Sequence, residues 1–508
     1  MNIFERALAA LAPDRALRRA RARSALNVMM NYDAAQAGRR GSSWRPAASD
    51  ADAAAVRRAR LAFIARDMIR NTPLAARAQA VIAGNVVGTG ILPKVRGGTA
   101  SQQAALAQVI QDHLLTTAID ADGRNTLFGL QRLAMNAVVD AGEVLIRRRQ
   151  RLTKDRLPLA LQLQVVEADY IDTSRTGIAD AGGQIREGIE YDAIGRRVAY
   201  WLFDEHPGSN ARWIKSFQSH RVPASEILHI FRQDRPGQMR GVSWFAPVAL
   251  ALQDLADGQD AQLMRQKIAA CFAAFVTDDG DGQSGKAGEV DDLGGTIVPG
   301  TIRRLKPGED VTFAEPPAVT GHEEFTRAVL RTVAAGLGIT YEALSGDLGN
   351  VNFTSYKAGR IEMDQAIAAW QWLLLIPQMM QPIGRWIVEA WALENAVVPK
   401  RGLAIDWVAP VRPLIDPARE IGALRDKVRA GFAARQQVIR ELGDDPDDVM
   451  REQIADAEAA DQAGLKFDSD ARNAVAGQPG SAGNGPPGGQ TDGAAGGESG
   501  KGQDPNGK

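Results

Sequence analysis

The chain has 508 residues, a net charge of −1 and 45% hydrophobic residues, which is typical of a globular protein long enough for more than one domain. The near-neutral charge excludes a uniformly basic coat for nucleic acid, although it permits local basic patches. A single cysteine, Cys271, excludes an intrachain disulfide, and its apolar neighbours predict a buried residue rather than a reactive thiol.

No apolar run approaches the about 18 residues of a membrane span, and the N-terminus lacks the apolar core of a signal peptide. The sequence therefore predicts a cytosolic protein, or part of an assembly built in a cytosol, with no membrane partner. Charge is uneven along the chain. Residues 1–70 contain fourteen arginines and six acids, whereas residues 415–470 contain fourteen acids and eight bases. For either end alone, a solvated helical face explains the charges as well as a specific basic site does.

The first half alternates helical and strand patterns. Residues 1–24 predict a basic amphipathic helix interrupted at Pro13. A helix capped by Ser49 or Asp50 follows, with its apolar face formed by Leu61, Ile64, Met68 and Ile69. Further helices are predicted after Pro73 and from Gln102 to Val139. The glycines Gly84, Gly88 and Gly90 predict a turn into a strand, because their order fits no dinucleotide-binding fingerprint. The strand patterns are EVLIRRRQRL, LALQLQVVEADYID, QIREGIEYDAIGRRVAYWLF with a turn at Asp192 to Gly195, and SEILHIFR.

The second half begins with a predicted helix from Trp244 to Val276, followed by a β-rich insert. A second helix is predicted from His322 to Gly338, with a capping box from Thr320 to Glu323. Its predicted apolar face contains Phe325, Val329, Val333 and Leu337. After a polar loop, a third helix is predicted from Ser355 to Leu374, kinked or ended by Pro377 and Pro382 and resuming to Leu393.

Two further helices are predicted to start at Asp416-Pro417 and Asp445-Pro446. From Gly477 onward, twelve of thirty-two residues are glycine, which predicts a disordered tail because such a segment cannot bury enough apolar surface to fold.

One motif imitates a nucleotide site. Gly280 to Ala287 nearly matches the phosphate-binding pattern G-x4-G-K-[ST], but Ala287 has no hydroxyl for Mg²⁺. Asp278, Asp279 and Asp281 would repel phosphates, and the preceding element is a predicted helix rather than a strand. A surface loop is therefore the better interpretation.

No catalytic residues, metal ligands or cofactor are predicted. The five histidines have no metal-ligand spacing, and no G-x-S-x-G elbow occurs. Asp444 to Asp448 is explained by capping and dipole complementarity at a helix start. The tryptophans Trp370, Trp372, Trp386 and Trp391 favour packing over base stacking.

Seven long strings, in order, resemble the lambda-type family of phage portal proteins over about residues 25–465. They are RNTPLAARAQAVIAGNVVGTGILP, VVEADYID, GIEYDAIGRRVAYWLF, ILHIFRQDRPGQMRGVSWFAPV, KIAACFAAFV, LKPGEDVTFAEPP and LRTVAAGLGITYEALSGDLGNVNFTS. The resemblance implies an α+β portal fold with a mixed α/β wing, a helical stem, a small β-containing clip and a helical crown. It also implies a ring of identical subunits, a dodecamer, with a central channel.

The resemblance divides the chain into regions: wing with a basic N-terminal segment 1–243, first stem helix 244–276, clip 277–319, second stem helix 320–339, tunnel-loop region 340–355, wing helices 356–412, crown 413–466 and Gly-rich tail 467–508. The implied partners are double-stranded DNA in the channel, the terminase large subunit, the major capsid and scaffold proteins, and the head–tail adaptor. The implied location is the portal vertex of the virion, after assembly in the host bacterial cytoplasm.

By the same resemblance, the DNA-facing tunnel loop contains Ser345, Gly346, Asp347, Asn350, Asn352 and Thr354, flanked by the basic residues Lys357 and Arg360. This loop carries few charges. Each phosphate that Lys or Arg neutralises strengthens non-specific DNA binding, so an arginine-rich bore would hold DNA rather than let it pass. We therefore expect a neutral to acidic bore around the loop.

Two alternatives remain at this point. A nucleotide-driven DNA enzyme such as a terminase subunit is disfavoured by the defective Gly280 loop. Another head–tail connector or a minor capsid protein is disfavoured by the length of the chain and by its helix–insert–helix–loop order.

Overall fold

A computed structural model describes residues 57–179, 182–209, 218–271, 275–278, 309–312, 321–349, 351–399 and 402–467. The chain divides into two units, residues 1–420 and 421–508. Several expectations lie outside the described residues: the helix in 1–24, the caps at Ser49, Asp50 and Thr320, the Gly280 loop, most of the clip and the Gly-rich tail. The burial of Cys271 and the position of Asn350 also lie outside them.

In the first unit the helices are α1 Arg58–Asn71, α2 Pro73–Val87, α3 Ala100–Val109, α4 Leu127–Ala141, α5 Ala249–Cys271, α6 His322–Leu337, α7 Tyr341–Ser345, α8 Phe353–Ala369 and α9 Gln381–Glu394. The last helices of the chain are α10 Pro417–Arg429, α11 Arg435–Glu441 and α12 Pro446–Ala463. The strands are β1 Leu92–Arg96, β2 Glu143–Gln150, β3 Leu161–Glu167, β4 Gly177–Ile178, β5 Gln184–Arg186, β6 Ile189–Tyr191, β7 Arg197–Phe203, β8 Ser219–Pro223, β9 Ile227–Phe231, β10 Phe275–Asp278, β11 Glu309–Thr312 and β12 Ala404–Val408.

The strands form antiparallel sheets. One has the order β3-β2-β9, another the order β4-β5-β6-β7-β8, and β1 pairs with β12. The strand patterns identified in the sequence are confirmed, including the turn at Asp192, whose carboxylate accepts the N–H groups of Ile194 and Arg196. The turn after α2 is also confirmed, because Gly88 ends that helix and β1 follows.

The core of the first unit lies where α2 and α4 pack against the β3-β2-β9 sheet and the tryptophan-rich helices. Ile82, Val86, Met135, Leu375 and Ile387 are fully buried within it. A smaller core lies between β2 and the five-stranded sheet. Val248, Leu252 and Leu255, which are spaced four and three residues apart and so lie on one helical face, are part of the main core. The N-terminal end of α5 is therefore fixed to the body of the unit.

The predicted end of the first stem helix is wrong. The helix runs from Ala249, rather than from Trp244, to Cys271, and Phe275–Asp278 is a strand that pairs with Glu309–Thr312. The alternation needed for a strand is too short here to distinguish it from the end of a helix in sequence alone.

The second stem helix is confirmed from His322 to Leu337, and Val333 and Leu337 lie on its buried face as predicted, but its cap and the position of Phe325 differ from the prediction. Its N-cap is Gly321, which has a left-handed φ of 90° and makes no side-chain capping hydrogen bond. Phe325 is 64% exposed, and the buried face consists of Leu330, Val333, Ala334 and Leu337. The apolar face is therefore rotated away from Phe325, which the apolar pattern alone did not reveal.

Of the two predicted effects of Pro377 and Pro382, a kink or an end of the helix, the end is wrong. The helix continues from Phe353 to Glu394, with a π-helical segment from Trp370 to Met380 that contains Pro377. In a π-helix the N–H group bonds to a carbonyl five residues back, as Gln381 does to Ile376, and the wider turn leaves room for the proline ring. Pro382 lies in the first turn of α9, a tolerated position.

Candidate functional site: the 345–354 loop and the root of the long helix

The loop predicted to face DNA connects two capped helices. Thr340 caps α7 by accepting the Ala343 N–H at 3.2 Å, and Gly346 ends that helix with a left-handed φ of 74°. Asn352 caps α8 through its Oδ1, which accepts the Ser355 N–H at 2.8 Å. Ser345 is therefore the last residue of a helix and Thr354 lies in the first turn of the next. The connecting segment is shorter than the predicted loop.

Besides Asn352, two of the polar loop residues use their side chains to fix this local structure. Ser345 Oγ donates to the Tyr341 carbonyl at 2.8 Å and accepts the Asp347 N–H at 3.1 Å. Asp347 accepts hydrogen bonds from the Gly349 N–H at 2.9 Å and from the Tyr341 hydroxyl at 3.1 Å. These bonds, the Gly349 N–H first, lower the pKa of Asp347 below its ordinary value, so the loop carries a negative charge at neutral pH.

The exposed side chains of this segment include two large apolar ones beside the polar Asn352 and Thr354. Leu348 is 57% exposed and Phe353 is 52% exposed, while Thr354 is also exposed. Sequence reasoning emphasised the polar residues and missed Leu348 and Phe353. The signal available in the sequence was the presence of two large apolar residues within a segment predicted to contact DNA.

The two basic residues predicted to flank the loop are engaged within the chain. Lys357 Nζ lies 2.9 Å from Glu420 Oε1. Arg360 donates to the Pro413 carbonyl, and its Nε lies 3.7 Å from Asp364, which also pairs with Arg412. Both cations therefore interact with partners within the chain, which lowers their availability to phosphates.

A cavity of about 310 Å³ lies beside the loop, between α2, α7 and α8. Its lining includes Arg77, Glu342, Leu348, Arg360 and Arg412. Arg77 Nε donates to the Ala343 carbonyl at 3.3 Å, which connects α2 directly to α7, the helix before the loop. The cavity therefore lies among the residues that hold the loop in place.

The segment that leads into the N-terminal end of α5 is held by a buried charge network that sequence spacing did not predict. Glu143 Oε1 accepts hydrogen bonds from Arg240 Nε at 2.9 Å and Nη2 at 2.6 Å. Its Oε2 accepts from His229 Nε2 and from the Gly241 N–H, each at 2.9 Å. Glu143, His229 and Arg240 are all buried. The network therefore joins β2, β9 and the segment that leads into α5.

Electrostatics keep this network ionised at its centre. Burial alone would raise the pKa of Glu143, but the charge of Arg240 and the hydrogen bonds from His229 and Arg240 lower it well below the usual range. Burial lowers the pKa of His229 to about 4, so its ring is neutral at pH 7 and donates from Nε2. Glu143 and Arg240 therefore form one ion pair whose remaining lone pairs are satisfied by neutral donors.

The same place shows a very close approach of two backbones. A Cβ atom on Gly241 would lie 2.0 Å from the Gly142 carbonyl oxygen, and one on Gly142 would lie 2.2 Å from the Val242 backbone. Only glycine permits this crossing. Trp244 lies three residues after Gly241. Its backbone N–H donates to the Val139 carbonyl at 3.2 Å, and its ring packs on Trp370 with ring centroids 5.0 Å apart. The root of α5 is thus fixed to α4 and to the π-helical segment.

Within the described ranges, one group of three side chains has the composition of a metal site: Glu167, Asp169 and His206, whose ligand atoms lie within 4.8 Å of one another. An arginine already pairs with both carboxylates, since Arg66 Nη2 lies 2.8 Å from Asp169 and 3.5 Å from Glu167. The Gly208 N–H donates to His206 Nδ1, which leaves the hydrogen of the neutral ring on Nε2, 3.0 Å from Glu167. The geometry favours an ion-pair cluster over a metal site. The spacing of the histidines in sequence could not show this grouping.

The sequence matches the family described as phage portal protein, lambda family, over residues 37–371, about two thirds of the chain. The chain belongs to the lambda family of phage portal proteins. A probable portal protein of Halomonas phage phiHAP-1 is 27% identical over 348 residues, 66% of each chain, so this chain spans just under two thirds of that relative's length. Portal protein B of Escherichia phage lambda is 23% identical over 482 residues, 84% of this chain and 88% of the relative.

Among solved structures, a chain from the neck of an empty gene-transfer-agent particle is 14% identical with a TM-score of 0.47, covering 80% of this portal chain and 97% of that chain. An HK97-family phage portal protein from Corynebacterium diphtheriae is 12% identical with a TM-score of 0.31, covering 57% and 82%. Membership of the portal family rests on the sequence match. Among the helices that the structure describes, none combines the length and apolar character required to cross a bilayer.

Proposed function

We propose that this chain is the subunit of a ring-shaped channel, a dodecamer, at one capsid vertex, through which double-stranded DNA is packaged and later ejected. The family match over residues 37–371 is the observation that carries the proposal. The ring would be assembled in the host cytoplasm together with the major capsid and scaffold proteins. It would then dock the terminase large subunit and afterwards the head–tail adaptor.

The chemistry of the loop region supports weak contact with DNA. Ser345, Asp347 and Asn352 satisfy their hydrogen bonds locally, and the outward side chains Leu348 and Phe353 carry no charge. A duplex sliding past such a surface meets few cations, so few counterions are released and the DNA is not held. In the proposed ring, the 345–354 loop is therefore a low-friction contact rather than a binding site.

The energy for DNA movement would come from the terminase, and the portal ring itself would be passive. We expect purified full-length protein to form rings with a central hole in negative-stain images and to hydrolyse no ATP above background, with or without DNA. Particles that show no central hole would contradict the channel. Robust ATP turnover would contradict the passive role.

A charge-gain experiment tests the loop. Leu348→Lys adds one exposed cation per subunit at the loop, and Ile194→Lys adds one at an exposed hairpin turn of the five-stranded sheet as a matched control. We expect the first variant to bind duplex DNA more tightly, with a steeper fall of log K against log salt, by up to about 0.9 per additional phosphate contact. The control should match the wild-type protein. Equal slopes for all three proteins would refute the assignment of the loop.

A further inference from the structure

The described part of the second unit, residues 421–467, has no core of its own. Among its described residues, 421–467, only Pro446 and Ala460 are buried. Ile421, Met450 and Ile454 are 56%, 44% and 52% exposed, respectively, and Phe432 is 82% exposed. Helices bury an apolar stripe against another element, and a unit without such burial gains little stability from the hydrophobic effect. Another surface must therefore cover these side chains.

Two of its helices carry matching apolar stripes. In α10 the stripe consists of Ile421, Leu424 and Val428, and in α12 it consists of Met450, Ile454 and Ala457. Both have the three- and four-residue spacing that places side chains on one helical face. No member of either stripe is buried, so the two stripes do not cover each other within one chain.

The charges that border these stripes are opposite in sign. At 100° per residue, Arg425 and Arg429 lie beside the α10 stripe, whereas Glu458 and Asp461 lie on or beside the α12 stripe. The wider segments agree. Residues 421–441 contain five basic and two acidic residues, a net charge of +3, and residues 446–463 contain one basic and six acidic residues, a net charge of −5. Each chain thus presents both halves of a complementary contact.

We infer that α10 of one chain docks on α12 of a second copy of the same chain, with the apolar stripes in contact and the arginines facing the carboxylates. A contact between two different surfaces of identical subunits is head-to-tail, and it closes into a ring when the rotation between neighbours allows. The inference rests on the proposed ring and identifies one of the surfaces that would assemble it.

Charge reversal tests this surface in the full-length chain. Glu458→Lys with Asp461→Lys reverses the acidic border, and Arg425→Glu with Arg429→Glu reverses the basic border. Lys near the C-terminal end of α12 also agrees with the helix dipole, so the first pair should not unfold the helix. Each double variant should raise the subunit concentration needed for half-assembly by about tenfold or more, as measured by sedimentation velocity and negative-stain imaging. Like charges then face each other at every interface.

The matched control is Glu452→Lys with Asp456→Lys, which makes the same charge change on the opposite face of α12. It should assemble as the wild-type chain does. An equal loss of assembly in this control would mean that only net charge matters, and the docking surface would be refuted.

Mixing the two defective double variants is the decisive experiment. In an alternating ring each reversed border meets the reversed border of its neighbour, so an equimolar mixture should regain assembly. If rings return only when all four substitutions are in one chain, the two helices pair within a chain and the inference is wrong. Rings unaffected by any reversal would also overturn it while leaving the proposed function intact, whereas wild-type protein that forms no rings would overturn both.

Discussion

Glu143, the buried carboxylate beside the segment that leads into α5, gives the sharpest stability prediction. Glu143→Gln preserves shape but replaces one of the two accepting oxygens with an NH₂ group, which cannot accept a hydrogen bond. Either the paired donors of Arg240, at 2.6 and 2.9 Å, or those of His229 and Gly241, both at 2.9 Å, then lose their acceptor. Because Arg240 stays buried and charged without its partner, we expect a loss of about 3–5 kcal/mol in the free energy of unfolding.

Urea unfolding followed by tryptophan fluorescence measures this loss, since Trp244 lies three residues after Gly241. The control is Asp406→Asn, which breaks the exposed Arg96–Asp406 pair, where the side chains are 64% and 48% exposed and the atoms are 2.6 Å apart. Exposed pairs contribute at most about 1 kcal/mol, so the control should shift the transition little. If Glu143→Gln costs no more than the control, the network does not hold the helix root.

Two further measurements refine this test. Combining Glu143→Gln with Arg240→Gln should cost less than the sum of the single changes, because the second substitution removes the charge stranded by the first. The lowered pKa of Glu143 means that its stabilising contribution is fully present above its unfolded value of about 4.5 and decreases as the pH falls below it. The difference between wild-type protein and Glu143→Gln should therefore narrow only under acid conditions.

Three other predictions follow from single contacts. Burial raises the pKa of Asp140 to about 7, partly offset by Arg66, so the ionised form destabilises the fold as the pH rises from about 4 to 7; Asp140→Asn should therefore be more stable than wild-type protein at pH 8, by up to about 4 kcal/mol, and not at pH 4. Gly241→Ala places a Cβ 2.0 Å from a carbonyl oxygen and should cost about 1–3 kcal/mol or more, whereas Gly258→Ala, with open space around it in α5, should stabilise by about 0.5–1 kcal/mol in the same denaturation assay. Thr99→Ala removes the capping box of α3 and should cost about 1 kcal/mol, with faster amide exchange confined to its first turn.

Local signals in the sequence located most helices and strands between residues 57 and 243. The hairpin around Asp192 and the strand that contains His229 have alternation and turn residues that specify them without tertiary information. The end of α5 and the π-helical segment around Pro377 were missed, because strand pairing and the π-helical geometry override local propensity there.

The candidate site was predictable only in part. The position of the loop follows from family strings, but the internal use of Lys357 depends on a contact with Glu420, 63 residues away. Likewise, Glu143 meets Arg240 across 97 residues and His229 across 86. Nothing in local spacing encodes such pairs, because side chains that lie far apart in sequence meet only when the sheets and helices pack.

The uninterrupted helix from Phe353 to Glu394 limits how far the loop can travel. Its first residue adjoins the cap at Asn352, and at its other end Glu394 accepts the Ala160 N–H at 2.6 Å, which anchors it to the start of β3. Only the seven residues from Gly346 to Asn352 separate α8 from α7. A tether of that contour length, fixed at both ends, can extend its tip by at most about 12 Å. In the proposed ring, each subunit could therefore follow the uneven surface of a moving duplex over roughly the depth of a groove, and no further, without a movement of α7 and α8 themselves.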